Sequence, residues 1–347
     1  MKLDPAVIKL LQLDPDMASV SSAGGGGCSS ASTSKITTTL DDGSKKQFFM
    51  KTGSGKDAQT MFEGEHASLS ALHSAVPNLC PNSFGWGQFS ESPKTFFLVT
   101  DYLNLSSRGS STSSSSPSLA AKLAKLHTTP APTPPGHSQP MYGFPVTTCC
   151  GDTPQDNTWK SSWPDFYANN RLRFILRRSE ASNGKDAELH TLVEKTASTV
   201  VPRLLGEGHL GGKQGIRPVP VHGDLWSGNA SRGIIGGGSG GEPEDVVYDS
   251  SACYAHSEFE LGIMRMFGGF GGGFLKEYHE LCPKTEPVGE YEDRVRLYEL
   301  YHHLNHHALF GGGYRSGAVS IMKNLIGKYG KEGGGLRAMG AVGNASA

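Results

Sequence analysis

The hydrophobic pattern of the first hundred residues changes period once, and that change limits what the chain can fold into. "KITTTL" and "KKQFFMK" are strand-like runs separated by "DDGS", a turn composition, so they read as a β-hairpin. From Ala58 the stretch "AQTMFEGEHASLSALHSAV" has period 3.6, with Met61, Phe62, Leu69, Leu72 and Val76 on one broad face, which predicts a helix ending near Pro77. A Gly run, Gly24 to Gly27, precedes the hairpin, and a short helix over Leu3–Leu13 opens the chain. "KTFFLVTDYLNL" reads as a buried strand running into a connector, followed by the Ser-rich loop "SSRGSSTSSSSPS".

Beyond that loop the pattern is mostly helical: "LAAKLAKLHTT", "DFYANNRLRFILRRS", "AELHTLVEKTASTVVPRLL", "EFELGIMRMFGGF" and "DRVRLYELYHHLNHHALF". "DVVYDSS" is a short apolar strand, and the Gly-rich "GIIGGGSGGEPED" before it is a hairpin loop. The expectation is an α+β chain in two lobes: a small β-rich N-lobe with one main helix over residues 1–100, a connector at 101–104, and a larger, mostly helical C-lobe over 105–347. A chain of 347 residues is long enough for two separate cores.

With 32 Lys and Arg against 33 Asp and Glu, the net charge of −1 gives no basic footprint for nucleic acid and no polybasic strip for a membrane surface. The N-terminal "MKLDPAVIKLLQLDPDM" mixes acids with its apolar residues and does not read as a signal peptide, and no apolar run is long enough for a membrane span. The six cysteines, at 28, 80, 149, 150, 253 and 282, form no CxxC pair. These features favour a reducing cytoplasm and a small polar or phosphorylated ligand.

"VHGDLWSGNA" holds the chemistry. His222, Asp224 and Asn229 keep the spacing of the protein-kinase loop H-R-D-x-x-x-x-N, in which the aspartate accepts a hydroxyl proton and the asparagine binds magnesium. Such a loop needs a second metal-binding aspartate on the next strand, and Asp249 ends "VVYD". Upstream it needs a strand lysine to hold phosphates and a helix glutamate to orient that lysine; Lys51 ends "FFMK", and Glu63 or Glu65 is its partner, about 200° apart around the helix. A lysine at a strand end is ordinarily just solvated and a Gly run is ordinarily a flexible loop. The order of all five parts is what argues for phosphoryl transfer and a bilobal protein-kinase-like fold.

The sequence resembles the fructosamine kinase (ketosamine-3-kinase) family, small-molecule kinases with a protein-kinase-like fold. The likeness rests on "QTMFEGEHASLSAL", "YGFPVTTCCGDTPQDNTWKSSWPDFYANNRL", "HGDLWSGN", "YDSSACYAHSEFELGIMRMFGGF" and "YHHLNHHALFGGGYR", spread over residues 20–325. It implies ATP-dependent phosphorylation of the 3-hydroxyl of ribulosamines or fructosamines, free or on glycated proteins, and hence deglycation as protein repair. It also implies Asp224 as base, Asn229 and Asp249 as Mg2+ ligands, Lys51 as phosphate clamp with Glu65 as its partner, Gly26, Gly27 and Cys28 in the phosphate loop, and Asp101, Tyr102 and Leu103 at the adenine. "GGGGCSSASTSK" lacks the later glycine of the family's loop. A kinase of choline- or aminoglycoside-like amines is the first alternative, and a silent nucleotide-binding redox module the second; Trp226 with "MFGGF" argues against one, and retention of Lys51, Asp224, Asn229 and Asp249 against the other.

Within the loop, His222 and Trp226 are the candidate substrate contacts; an ordinary core histidine and an indole anchoring the loop are the alternatives. Cys28 follows the glycines directly, where backbone N–H groups favour an anion, so it is the candidate redox thiol, able to join two copies in a redox-dependent homodimer. Cys149 and Cys150 match the family and imply a structural role. His302, His303, His306 and His307 have the i, i+4 spacing that zinc uses, but the motif offers no acidic third ligand, so that helix is expected to border the substrate cleft.

Overall fold

A computed structural model describes residues 2–23, 31–106, 116–237 and 241–330. The opening helix α1 (Pro5–Leu11) is shorter than its apolar pattern because Asp4 caps it, accepting from Ala6 N at 2.8 Å, and Gln12 ends it in the left-handed region at φ 53°. Strands β1 (Ala18–Ser22), β2 (Ser32–Thr39), β3 (Lys45–Ser54), β4 (Ser83–Gln88) and β5 (Thr95–Asp101) form one antiparallel sheet in the order β1-β2-β3-β5-β4. The β2–β3 hairpin turns at Gly43, φ 79°, where Asp42 Oδ1 accepts from Ser44 N.

Two strands of this sheet were not legible in the pattern. "SFGWGQ" forms β4 although glycine weakens a strand. A side chain at Gly85 would lie 2.9 Å from Leu10, and one at Gly87 3.2 Å from the Phe97 ring, so both glycines make room for packing. β1 pairs Val20 with Ile36 and closes the small core of Leu3, Val7, Ile36, Phe48, Met50, Phe97 and Val99.

Helix α2 (Gly55–Ala75) follows β3 directly. It belongs to the N-lobe in sequence, yet Leu69, Leu72 and Val76 pack into the large core of the other lobe. Gly64 lets it approach: a Cβ there would sit 2.5 Å from Thr147 O. Ser68 Oγ completes the joint by accepting Ala252 N at 2.9 Å.

The buried strand expected to run into the connector is β5, and the connector itself opens a further strand. β5 ends at Asp101, and β6 (Leu103–Ser106) joins a second sheet. After α3 (Leu119–Thr128) come the short strands β7 (Cys149–Cys150) and β8 (Thr153–Pro154), then α4 (Trp163–Asp165), which continues as α5 (Phe174–Asn183) through a π-helical stretch, Phe166–Arg173. Likewise α6 (Ala187–Lys195) reaches α7 (Val201–Leu205) through a second π stretch, Thr196–Val200, just before Pro202. A proline ring crowds the carbonyl four residues back, and a wider turn relieves it.

The remaining elements are β9 (Val219–Val221), β10 (Ala230–Ile235), β11 (Glu244–Val247), β12 (Cys253–Ala255), α8 (Leu261–Phe267), α9 (Gly272–Leu281), α10 (Tyr291–Phe310) and α11 (Tyr314–Tyr329). β9 pairs with β12, and the second sheet runs β11-β10-β6. The catalytic-loop segment leaves β9 and enters β10, and Asp249 follows β11, so both sheets frame it. Asp249 is therefore not on the strand, as its place in "VVYD" suggested, but two residues past β11. Among the described residues no helix is long and apolar enough to cross a membrane.

Candidate active site

Lys51 and Glu65 meet as the sequence order requires. β3 and α2 place Lys51 Nζ 2.8 Å from both carboxylate oxygens of Glu65 and 2.6 Å from Asp249 Oδ1. Glu63 takes no part in this triad. Burial opposes the Lys51 charge, but Glu65 and then Asp249 outweigh it, so the ammonium is held more firmly protonated than in water. Asp249 is kept below the ordinary carboxylate range by Lys51, against its own burial. Its backbone is left-handed, φ 58°, a conformation that costs energy outside glycine.

Asp224 projects from the loop between β9 and β10. Burial pushes its carboxyl up to about 8; the Cys150 thiol, 3.6 Å from Oδ1, pulls against that, and the charges of Asp249 and Glu260 add to the rise. Asn229 Nδ2 donates to Asp224 O at 2.9 Å, which fixes the amide's orientation. Asn229 and Asp249 together offer one amide oxygen and one carboxylate, an all-oxygen donor set that suits magnesium. The side chain of Asp249 is 40% exposed, so it is open to a ligand from the cleft.

His222, expected to face substrate, is instead wholly buried, and both ring nitrogens are occupied by backbone. Nε2 donates to Tyr248 O at 3.0 Å while Nδ1 accepts from Asp224 N at 3.3 Å, the pattern of a neutral imidazole, in keeping with a pKa lowered by burial. It shapes the loop and does not reach the cleft. Gly223 stands where protein kinases have arginine: its φ is 84°, and a Cβ would lie 2.2 Å from Ser251 O. Trp226 folds back over Gly228, whose Cβ would strike the indole at 2.1 Å, and meets Phe267 at 5.6 Å between ring centroids. It remains partly exposed at the cleft edge.

Glu260 was missed by the motif reading, although it lies in "EFEL". Fully enclosed, it accepts the backbone N–H groups of His222 and Gly223 and faces His127 Nε2 at 3.6 Å, so it pins the start of the loop. Cys150 was read as structural only; its thiol in fact lies against the Asp224 carboxylate.

In the connector, Asp101 N donates to Asn82 O, Tyr102 O accepts from Gly236 N at 3.0 Å, and Leu103 pairs with Ile235. The connector is thereby stitched to both lobes. Gly26, Gly27 and Cys28 lie outside the described residues.

This geometry agrees with the comparisons to known proteins. A profile of the fructosamine kinase family matches residues 12–328. Ketosamine-3-kinase of Mus musculus is 32% identical over 299 residues, covering 81% of this chain and 88% of that protein. The chloroplastic protein-ribulosamine 3-kinase of Oryza sativa subsp. japonica is 35% identical over 280 residues, covering 80% of this chain and 72% of that one. Among solved structures, one from Thermobifida fusca YX-ER1, provisionally assigned as a fructosamine-3-kinase, superposes with a TM-score of 0.69 at 24% identity over 93% of this chain and 98% of that one. Aminoglycoside phosphotransferase APH(4)-Ia shares the fold at a TM-score of 0.53 and 13% identity, over 94% and 98% of the two chains. With its two-lobed α+β architecture and a profile match spanning nearly its whole length, the chain belongs to the fructosamine kinase family.

Proposed function

We propose that the protein phosphorylates the 3-hydroxyl of a ketosamine, a ribulosamine or fructosamine on a free amine or a protein lysine, with ATP as phosphoryl donor and Mg2+ as its metal. The observation that carries this reading is the convergence of Lys51, Glu65 and Asp249 beside the Asp224 loop, in a chain of this family. Asp224 accepts the proton of the attacking hydroxyl. A carboxyl pushed up to about 8 is a stronger base than an ordinary aspartate once ionised, which matches it to a hydroxyl near neutral pH. Lys51, oriented by Glu65, exchanges its contact with Asp249 for phosphate oxygens when nucleotide binds, and Asp101–Leu103 receives the adenine. Asn229 and Asp249 would hold the magnesium, which would supply neutralisation of phosphate charge. Trp226 offers its indole face to the sugar, and His222 keeps the loop in register behind it.

Enolisation of the product towards C1 turns the 3-phosphate into a leaving group. Its loss, followed by hydrolysis, frees the amine and leaves a dicarbonyl, so the reaction amounts to deglycation. The test is to incubate the protein with Mg-ATP and lysine carrying ribulosamine or fructosamine, and to follow phosphorus by NMR. A 3-phosphate that decays to free lysine is expected. Phosphate at another hydroxyl, a stable product, or faster turnover of choline or an aminoglycoside would overturn the assignment.

A further inference from the structure

The histidine pattern on α10 acquires its missing ligands in three dimensions. His302 does not pair with His306, whose Nδ1 bonds His302 O at 2.9 Å. It faces Cys150 and Asp224 instead, and one ligand atom from each of the three lies within 4.8 Å of the others, the one cluster of this kind among the described residues. We propose that Cys150, Asp224 and His302 form an inhibitory binding site for a borderline-soft divalent cation such as Zn2+, made of other residues and other donor chemistry than the oxygen ligands assigned to magnesium.

Three observations support it. The Cys150 Sγ to Asp224 Oδ1 distance is 3.6 Å. Tetrahedral zinc with bonds of ~2.3 Å to sulfur and ~2.0 Å to oxygen sets that edge at about 3.5 Å, so two ligands already have the right spacing. His302 and Cys150 are each 1% exposed, and both His302 Nδ1 and Asn305 Oδ1, on the same turn of α10, are buried with no hydrogen-bond partner. An unpartnered buried nitrogen is costly, and a metal ion relieves it. Burial, with His306 and His303 adding to it, keeps the His302 imidazole neutral, the form that coordinates. Thiolate and imidazole select zinc over magnesium.

Forming the S–Zn bond releases the thiol proton to solvent, and the Asp224 carboxyl gives up its own when it binds; no electrons are transferred. Because Asp224 is then coordinated, it cannot take the substrate proton. That inhibitory consequence rests on the role proposed above for Asp224, whereas the binding does not.

The test uses the substrate-free full-length protein. Co2+ is titrated as a spectroscopic stand-in, then displaced by Zn2+, and zinc affinity is measured calorimetrically alongside a thermal melt of every variant. One metal per chain and a thiolate-to-cobalt charge-transfer band are expected. Cys150→Ser should lose the band and bind Zn2+ at least tenfold more weakly, His302→Gln should keep the band with a similar loss of affinity, and Cys149→Ser should behave as wild type. No band in the wild type, or equal zinc affinity in the wild type, Cys150→Ser and His302→Gln, overturns the site. Binding with the band but with turnover undiminished overturns the inhibition alone and locates the failure in the role given to Asp224.

Discussion

Replacing Gly64 by alanine should reverse the usual sign of a helix substitution. In an open helical position Gly→Ala stabilises by up to ~1 kcal/mol, because glycine loses more conformational freedom on folding. At Gly64 the new methyl would lie 2.5 Å from Thr147 O and 3.0 Å from Thr148 Cα, both backbone atoms that cannot rotate aside. The first distance is about 1 Å inside ordinary van der Waals contact. Helix α2 is also held just beyond that point, by Glu65 on Lys51 and by Ser68 Oγ on Ala252 N, so it cannot withdraw there without breaking one of these. Overpacking of this kind costs about 1–3 kcal/mol, so against a gain of ~1 kcal/mol the net loss reaches about 2 kcal/mol. At ~2.1 cal/mol/K per residue over 347 residues, the expected fall in Tm is up to about 3 °C.

The functional loss should be larger, since a displacement of about 1 Å at a positioning group can cost roughly 10²-fold in rate. Glu65 is the neighbour of the new methyl, so the effect should appear in kcat/KM for ATP. Gly327 is the control: it lies exposed in α11, with nothing within 4 Å of the position a methyl would take, and Gly327→Ala should raise Tm with unchanged kinetics. Differential scanning calorimetry and ATP-dependent kinetics on the two variants decide the matter. If Gly64→Ala gains stability as Gly327→Ala does, or keeps its kcat/KM for ATP, the docking of α2 does not position the triad.

Asp224→Asn should fold and bind nucleotide while turnover falls by roughly 10²- to 10⁴-fold, the usual cost of losing a proton acceptor. In the wild type kcat/KM should climb with pH through about 8, because the base acts only when ionised and its carboxyl is raised that far; a profile flat between about pH 6 and 9 would remove Asp224 as the titrating group. The five described cysteines are free, and burial raises every one of their thiols, Cys80 and Cys149 to about 12, so peroxide sensitivity should fall on Cys28. Peroxide followed by dithiothreitol should inactivate and restore the wild type but spare Cys28→Ala; equal loss in both proteins ends that idea.

The sequence alone determined those features that depend on order and local period. The hairpin that carries Lys51 on its second strand, the helix bearing Glu65, the spacing of Asp224 and Asn229, and the helical second half all follow from runs of residues whose patterning acts over short distances. Glycine hid β4, because Gly85 and Gly87 weaken the strand pattern while serving contacts made by residues far away in the chain. Tertiary structure decided which glutamate meets Lys51, since Glu63 and Glu65 differ only in which side of α2 faces the sheet. It also decided that α2 belongs to the core of the other lobe, that His222 supports the loop from behind, and that Glu260 pins the loop backbone. Above all, it brought Cys150, Asp224 and His302 together. Their separations in sequence carry no periodic signal, and only the packing of α10 against the segment after Phe144 makes them neighbours.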